Sequence, residues 1–282
     1  MKAKTIKFSR EGFYVVLLVP LLGILVFSGI ACQAGPKGYK GNPESVQLNE
    51  TGIKMYNEGA YDKAVLYFDR AIESDPSNPA VLFNKGQALD AMRKFDMAIQ
   101  AYDQALQLDP NFADAWSNKG MSNYDLEKFD KALECFDKAT AIDSNNATYW
   151  SNKGLILLAL QKYAEAVPCY EKAASLDSGN AELWGMKAYS QMKSSRFQDA
   201  LGSADKAISL DQTSSLAWGY KAKALHELRR YDEAIVAFDK ALALDPGQPA
   251  LWYSKGLTLE TLKRDSEAKK CYDKARSLGY QF

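Results

Sequence analysis

Three asparagines, Asn84, Asn118 and Asn152, stand 34 residues apart, and serines precede the last two at Ser117 and Ser151. A side-chain amide carries two donors and an acceptor. A row of amides at fixed spacing can therefore hydrogen-bond the main chain of an extended peptide without reading its sequence. Farther along, Met186, Tyr189, Met192, Tyr220, Lys223 and Tyr253 line the corresponding segments, with Gly185 and Gly219 leaving room beside them. Those residue types favour apolar or aromatic anchors. The asparagines have a second reading, as members of a Trp-Ser-Asn-Lys-Gly block duplicated together with its repeat.

Bond-making chemistry is poorly provided for. The chain has one histidine, His226, and contains no HExxH, no paired CxxC and no phosphate loop. The glycines of Gly35-Pro36-Lys37-Gly38 precede no strand. Cys135, Cys169 and Cys271 fall in one repeat column, so even neighbours stand about one repeat step apart, beyond disulfide reach. They read as small packing residues. No catalytic residue, metal site or cofactor is expected, and the chain is not expected to be an enzyme. Setting aside the six bases and two acids of the first 44 residues leaves 29 bases against 33 acids, a balance of −4. A mildly acidic surface argues against a general nucleic-acid binder.

These residues are positioned by a period. Trp116, Trp150, Trp184, Trp218 and Trp252 recur every 34 residues, as do alanines from Ala64 to Ala268 and from Ala71 to Ala275. Such a period marks stacked supersecondary units. Seven units begin at Ser45, Pro79, Ala113, Ala147, Ala181, Ser215 and Pro249. Within the third, Trp116, Gly120, Asn123 and Tyr124 share one helical face, and Phe129, Ala132, Phe136 and Ala139 share another. Helices of about a dozen residues are marginal alone, so each must gain its stability by packing on its partner and on the next unit. Gly86, Gly120, Gly154 and Gly256 allow close approach to the aromatic column Phe68, Tyr102, Phe136, Tyr170, Phe238 and Tyr272. Asp75-Pro76, Asp109-Pro110, Asp143-Ser144 and Asp245-Pro246 supply stop and turn.

The order Trp, Gly, Ala, Phe or Tyr, Ala, Pro at this period resembles the tetratricopeptide repeat over residues 45–282. The resemblance implies an all-α fold, a right-handed alpha-alpha superhelix of seven helix-turn-helix repeats. It also implies a concave groove lined by the first helices, which would carry Asn84, Ser117, Asn118, Ser151, Asn152, Met186, Tyr189, Tyr220, Lys223 and Tyr253, with His226 pointing toward it. The basic cluster that chaperone-binding relatives place beside such asparagines is missing here.

Polar replacements at Gln47, Lys54 and Glu58, and at Lys269 and Arg276, read as capped ends of a complete array. The tail Leu278, Tyr280 and Phe282 is expected to fold back on the last repeat. Lys85, Lys119, Lys153, Lys187, Lys221 and Lys255 form either a basic ligand stripe or, the favoured reading, bridges to the acid column Asp69, Asp103, Asp137, Glu171, Asp205 and Asp239. The fifth repeat departs furthest from the pattern, with Ala204 in the aromatic place and Gly202 inside its second helix. Together with Pro168 in the helix before, this predicts a compliant region across repeats four and five.

Lys2, Lys4, Lys7 and Arg10 precede an apolar core from Phe13 to Ala31. Its length approaches the roughly 20 residues that span a bilayer. Residues 1–32 are therefore expected to be an N-terminal transmembrane anchor or signal segment, with lipid attachment at Cys32 or cleavage near Ala31 or Ala34 as the competing outcomes. The basic flank keeps the N-terminus cytoplasmic and the repeats outside. Residues 33–44 read as a Gly/Pro/Lys linker, and Asn146 as the better of two glycosylation triplets in an exported domain. The whole reads as a membrane-tethered scaffold or adaptor binding a protein or peptide partner. Two alternatives stand beside it: a cell-envelope assembly or secretion factor handling extended client chains, and a non-catalytic accessory module of an enzyme such as a glycosyltransferase.

Overall fold

The computed structural model describes residues 42–282, so the expectations for the anchor, for Cys32 and for most of the linker lie outside the described residues. Among those described there are fourteen helices in consecutive helix-turn-helix pairs and no strand. The pairs are α1 Pro43–Asn57 with α2 Tyr61–Ser74, α3 Pro79–Ala91 with α4 Phe95–Leu108, α5 Ala113–Asp125 with α6 Phe129–Ile142, and α7 Ala147–Ala159 with α8 Tyr163–Leu176. They continue as α9 Ala181–Lys193 with α10 Phe197–Leu210, α11 Ser215–Glu227 with α12 Tyr231–Leu244, and α13 Pro249–Thr261 with α14 Asp265–Ser277. The fold is all-α and solenoidal in construction. It divides into two compact units, one ending at Gly179 and the other beginning at Asn180.

Each boundary has a local cause. Five of the seven first helices start at a side-chain cap: Asn42, Asn78, Asn146, Asn180 and Ser214 accept from a backbone N–H inside the first turn, whereas α5 and α13 begin without one. This is why α1 begins at Pro43, two residues before Ser45 and inside the stretch read as linker. Asn42 caps it, and Pro43 fits the first helical position because no backbone donor is needed there. Between the two helices of a pair the chain reverses through a left-handed residue, Gly59 in the first repeat but Arg93, Glu127, Gln161, Ser195, Arg229 and Lys263 in the others. Five second helices stop at an aspartate whose carboxylate accepts the N–H two residues on, at Asp75, Asp109, Asp143, Asp211 and Asp245. The tryptophan of the following helix locks that turn. The indoles of Trp116, Trp150, Trp218 and Trp252 donate to the carbonyls of Pro110, Ser144, Gln212 and Pro246 at 2.9–3.1 Å.

In the unit ending at Gly179 the core is the predicted column of alanine against aromatic. Phe68, Tyr102 and Phe136 are fully buried, as are Ala64, Ala98, Ala132 and Ala166. A methyl on Gly86 would stand 2.4 Å from the Tyr102 ring and one on Gly154 2.7 Å from Tyr170, so glycine there is required by helix approach. In the unit beginning at Asn180 the same arrangement holds for Phe238 and for Gly256 against Tyr272. The fifth repeat closes differently: Ala188 replaces the glycine and Ala204 the aromatic, both fully buried, and Ser203 donates to Gln191 at 2.7 Å. Cys135, Cys169 and Cys271 are free thiols and buried packing residues, with burial raising each pKa.

The lysine column bridges helices. Lys85 reaches Asp69 at 2.6 Å, Lys119 Asp103 at 2.6 Å and Lys153 Asp137 at 2.8 Å, while Lys221 pairs with Asp205 at 2.8 Å and Lys255 with Asp239 at 2.5 Å. The same ammonium groups lie over the tryptophan rings one turn earlier, at 4.9 Å for Lys119 on Trp116 and 5.4 Å for Lys153 on Trp150. These contacts occupy the lysines internally and support the bridging reading over a basic ligand stripe.

Candidate functional site

Within each unit the first helices of successive pairs are neighbours, α1 with α3 and α3 with α5, then α9 with α11 and α11 with α13. These first helices and α7 carry the residues singled out from sequence, and the structure sorts them into different roles.

In the unit ending at Gly179 the asparagines are not equivalent. Asn84 is fully buried, its amide donating to Asn49 Oδ1 at 3.0 Å, and so ties α3 to α1. Asn152 and Ser117 are also buried, at 4% and 2% exposed. Asn118 and Ser151 remain partly exposed. Asn118 sits against the Tyr102 hydroxyl, and the Ser151 hydroxyl donates to Thr148 O at 3.0 Å. As placed, then, Asn118 and Ser151 are the accessible members of the ladder, while Asn84 ties two repeats together and Ser117 and Asn152 are buried.

The sequence reading missed the polar links that stitch these helices together. Tyr102 and Ser122 each donate to Asp90, from two different helices, at 2.7 Å. Burial pushes the Asp90 carboxyl up to about 7, although both hydrogen bonds pull it down. Tyr149 donates to Asp114 across α5 and α7, and Asp125, also raised by burial, lies near Asp90. A column search passes over Asp90 because its equivalents are Tyr56, Tyr124, Leu158, Met192, His226 and Glu260, with no one type running through the repeats. The available signal was a carboxylate on an otherwise apolar helix face.

In the unit beginning at Asn180, Tyr189 of α9 and Tyr220 of α11 pack with ring centroids 5.6 Å apart. Met186 and Lys223 lie on the same two helices, both partly exposed. Burial and then Glu182 push the Tyr220 hydroxyl up to about 12. Lys223 is drawn down to about 8 by burial and then by Lys193. Gly185 opens on free space, but Gly219 does not leave the room expected of it, because a methyl there would meet Leu251 at 2.9 Å. Tyr253 does not join this group. It stacks on Tyr272, Tyr280 and Phe282 at 5.7, 5.0 and 4.7 Å, the tail having folded back as expected. His226 faces Thr258 across 3.0 Å and meets Tyr231 edge-on.

Among the described residues no group of His, Cys, Asp and Glu could hold a metal ion, and no helix is long and apolar enough to cross a membrane. The faces can therefore offer hydrogen bonds, aromatic contact and charge to a ligand.

Comparison with known proteins agrees with this construction. Tetratricopeptide repeat family models match residues 79–112, 113–146 and 147–180, residues 185–249 and 221–279, and residues 56–78. A comparison with curated proteins returns no match. Among solved structures the chain is similar to a tetratricopeptide repeat protein from Parabacteroides merdae, at 17% identity over 85% of this chain and 95% of that one, with a TM-score of 0.61. It is similar to YrrB, described as a TPR protein with an unusual peptide-binding site, at 24% identity over 64% of this chain and 93% of that one, TM-score 0.55. It is also similar to Pseudomonas aeruginosa pilF, at 17% identity over 79% and 97% of the two chains, TM-score 0.60. At such identities the likeness is one of fold. The repeat pattern, however, is matched over more than half of the length, and the chain belongs to the tetratricopeptide repeat family.

Proposed function

We propose that this protein is a membrane-tethered scaffold or adaptor that holds a peptide segment or protein partner along its first-helix face, the groove of the family, and performs no chemistry of its own. One observation carries the reading. The lysine column is occupied within the fold, while Asn118, Ser151, Tyr189, Tyr220 and Lys223 stay partly exposed on faces made of neighbouring first helices. Exposed hydrogen-bonding and aromatic side chains on a rigid helical surface suit an extended peptide. The family's role as a protein-interaction module and the peptide site named for YrrB point the same way.

The tether rests on the apolar stretch from Phe13 to Ala31 and its basic flank, which also place the repeats outside the cytoplasm. Alkaline extraction of membranes, with the mass of the mature N-terminus, separates a retained anchor from lipidation at Cys32 or cleavage.

Photoreactive side chains at Asn118 and Tyr220 test the binding face, with controls at the second-helix positions Leu66 and Val236, which are 59% and 61% exposed. Capture from the first pair and not from the controls is expected. A single captured species marks an adaptor, and a broad set of weakly held chains marks the client-handling alternative. Capture confined to Leu66 and Val236 refutes the proposed face.

A further inference from the structure

Two columns of the repeat vary together. Early in the first helix, only repeats two and seven carry an aromatic ring, Phe83 and Tyr253, where the other five have asparagine, serine or glycine. The last residue of the repeat is phenylalanine in the same two repeats alone, at Phe112 and Phe282. The structure joins each such pair to the aromatic of the second helix. In repeat two, Phe83 lies 4.9 Å from Phe112 and 5.8 Å from Tyr102, ring centroid to ring centroid. In repeat seven, Tyr253 lies 4.7 Å from Phe282 and 5.7 Å from Tyr272. The same three-ring arrangement is thus built twice.

The third ring arrives differently in the two places. Phe112 sits at the N-terminal boundary of α5 and is partly buried. Phe282 comes by a reversal after α14, because Gly279 stands where the six earlier repeats have aspartate. Gly279 holds φ at 89°, an angle that side chains disfavour, and its N–H and that of Tyr280 close on Arg276 O and Ala275 O. Tyr280 then meets Tyr253 at 5.0 Å, and the Arg276 guanidinium lies 4.6 Å from the centre of the Phe282 ring. Even so, Phe282 remains 52% exposed. The rings beneath it belong to the fold: Tyr272 fills the space that a side chain at Gly256 would need, and its hydroxyl donates to Glu260 at 2.6 Å.

We propose that Tyr253 and Tyr272 form a docking slot for aromatic side chains, plugged by the protein's own Tyr280-Gln281-Phe282, and that a partner segment with two aromatic residues flanking a third residue opens it by replacing them. The tail shows the chemistry that fits, since stacked and tilted rings reward an aromatic occupant beyond the area it covers. Tethered beside the slot, the plug competes at a high effective concentration and turns away weak aromatic segments. Peptide binding on the face at Asn118 and Tyr220 is not required for this device.

The test uses the full chain in a non-ionic detergent and a fluorescent, amide-capped peptide with the sequence of residues 275–282, followed by anisotropy. The double variant Tyr280→Ser, Phe282→Ser should bind this peptide at least tenfold more tightly than the wild type does. A peptide with serine in place of both rings should bind neither protein, and adding Tyr253→Ala to the double variant should abolish binding. Gly279→Val, which disfavours the reversal but keeps both rings on the chain, should also raise affinity, and it serves where the double variant does not fold. Equal affinity for wild type and variants, or no binding to either variant, overturns the plug. Concentration-dependent dimerisation of the wild type that Phe282→Ser abolishes assigns the slot to a second copy's tail and overturns it as well.

Discussion

Asp90 lies 6% exposed between α3, α4 and α5, with Tyr102 and Ser122 both donating to it. Burial raises its folded-state pKa to about 7 from 3.8. Between those two values the folded protein keeps a proton that the unfolded chain has lost. The carboxyl therefore favours the folded state most at low pH, and that contribution falls away as pH rises from about 4 to about 7, then stays flat. Asp90→Asn keeps an acceptor oxygen for one neighbour and an amide for the other, while removing the titration. The difference between wild-type and variant stability should grow in the variant's favour across this window, by at most a few kcal/mol, and level off above it. Urea unfolding at half-unit pH steps measures it, and a difference curve flat between pH 4 and 7 sinks the assignment. The network also shows why site residues were harder to read than the fold. Asn84 and Asn118 have identical neighbours in sequence at the following lysine and glycine, yet one is sealed against Asn49 and the other stays partly exposed beside the Tyr102 hydroxyl. What separates them is the residue supplied by the preceding repeat, which a column of like residues does not reveal.

At the scale of the helix pair, each reversal needs one left-handed residue, and only the first repeat places glycine at it. Glu127 holds φ at 58° and is exposed to solvent, while its own N–H and that of Lys128 close the helix end on Tyr124 O and Asn123 O, both at 2.8 Å. A side chain there costs roughly 1 kcal/mol relative to glycine, through the clash of Cβ with the backbone. Glu127→Gly should therefore stabilise the unit ending at Gly179 by about 0.5–1 kcal/mol, after allowing for the greater freedom glycine brings to the unfolded chain. Glu127→Ala should give no such gain. A midpoint shift of equal size for both variants would place the effect elsewhere than in the backbone angle. The pairing itself was legible because helix period, small-against-large columns and Asp-Pro stops all recur together. The indole bonds of Trp116 and Trp150 to the preceding turn were not, since a tryptophan column reads equally well as buried bulk.

At the scale of the whole molecule, stability in a repeat protein is close to a sum of repeat terms and nearest-neighbour terms, so a weak repeat lowers protection locally instead of everywhere. Repeats two and three bury Tyr102 and Phe136 completely against glycine. The fifth repeat has Ala188 facing the place of Ala204, forgoing the aromatic area that supplies much of a core's burial energy. Gly202 lies in the same helix with nothing within 4 Å of its missing side chain, and an interior glycine costs about 1 kcal/mol relative to alanine. Pro168 is the sixth residue of α8, past the first turn, where it removes a hydrogen bond the helix would otherwise make. The Ser203–Gln191 bond replaces only part of what the aromatic would bring. Amides of α8 and α10 should accordingly exchange faster than those of α3 to α6 by native-state hydrogen exchange. Ala204→Phe combined with Ala188→Gly, which restores the pattern of the neighbouring repeats, should slow exchange in α10 and leave α3 to α6 unchanged. Equal protection across all seven repeats, or slowing that spreads evenly over both units, would show that the array opens as a single cooperative body and that Pro168, Ala188, Gly202 and Ala204 do not set its weak point.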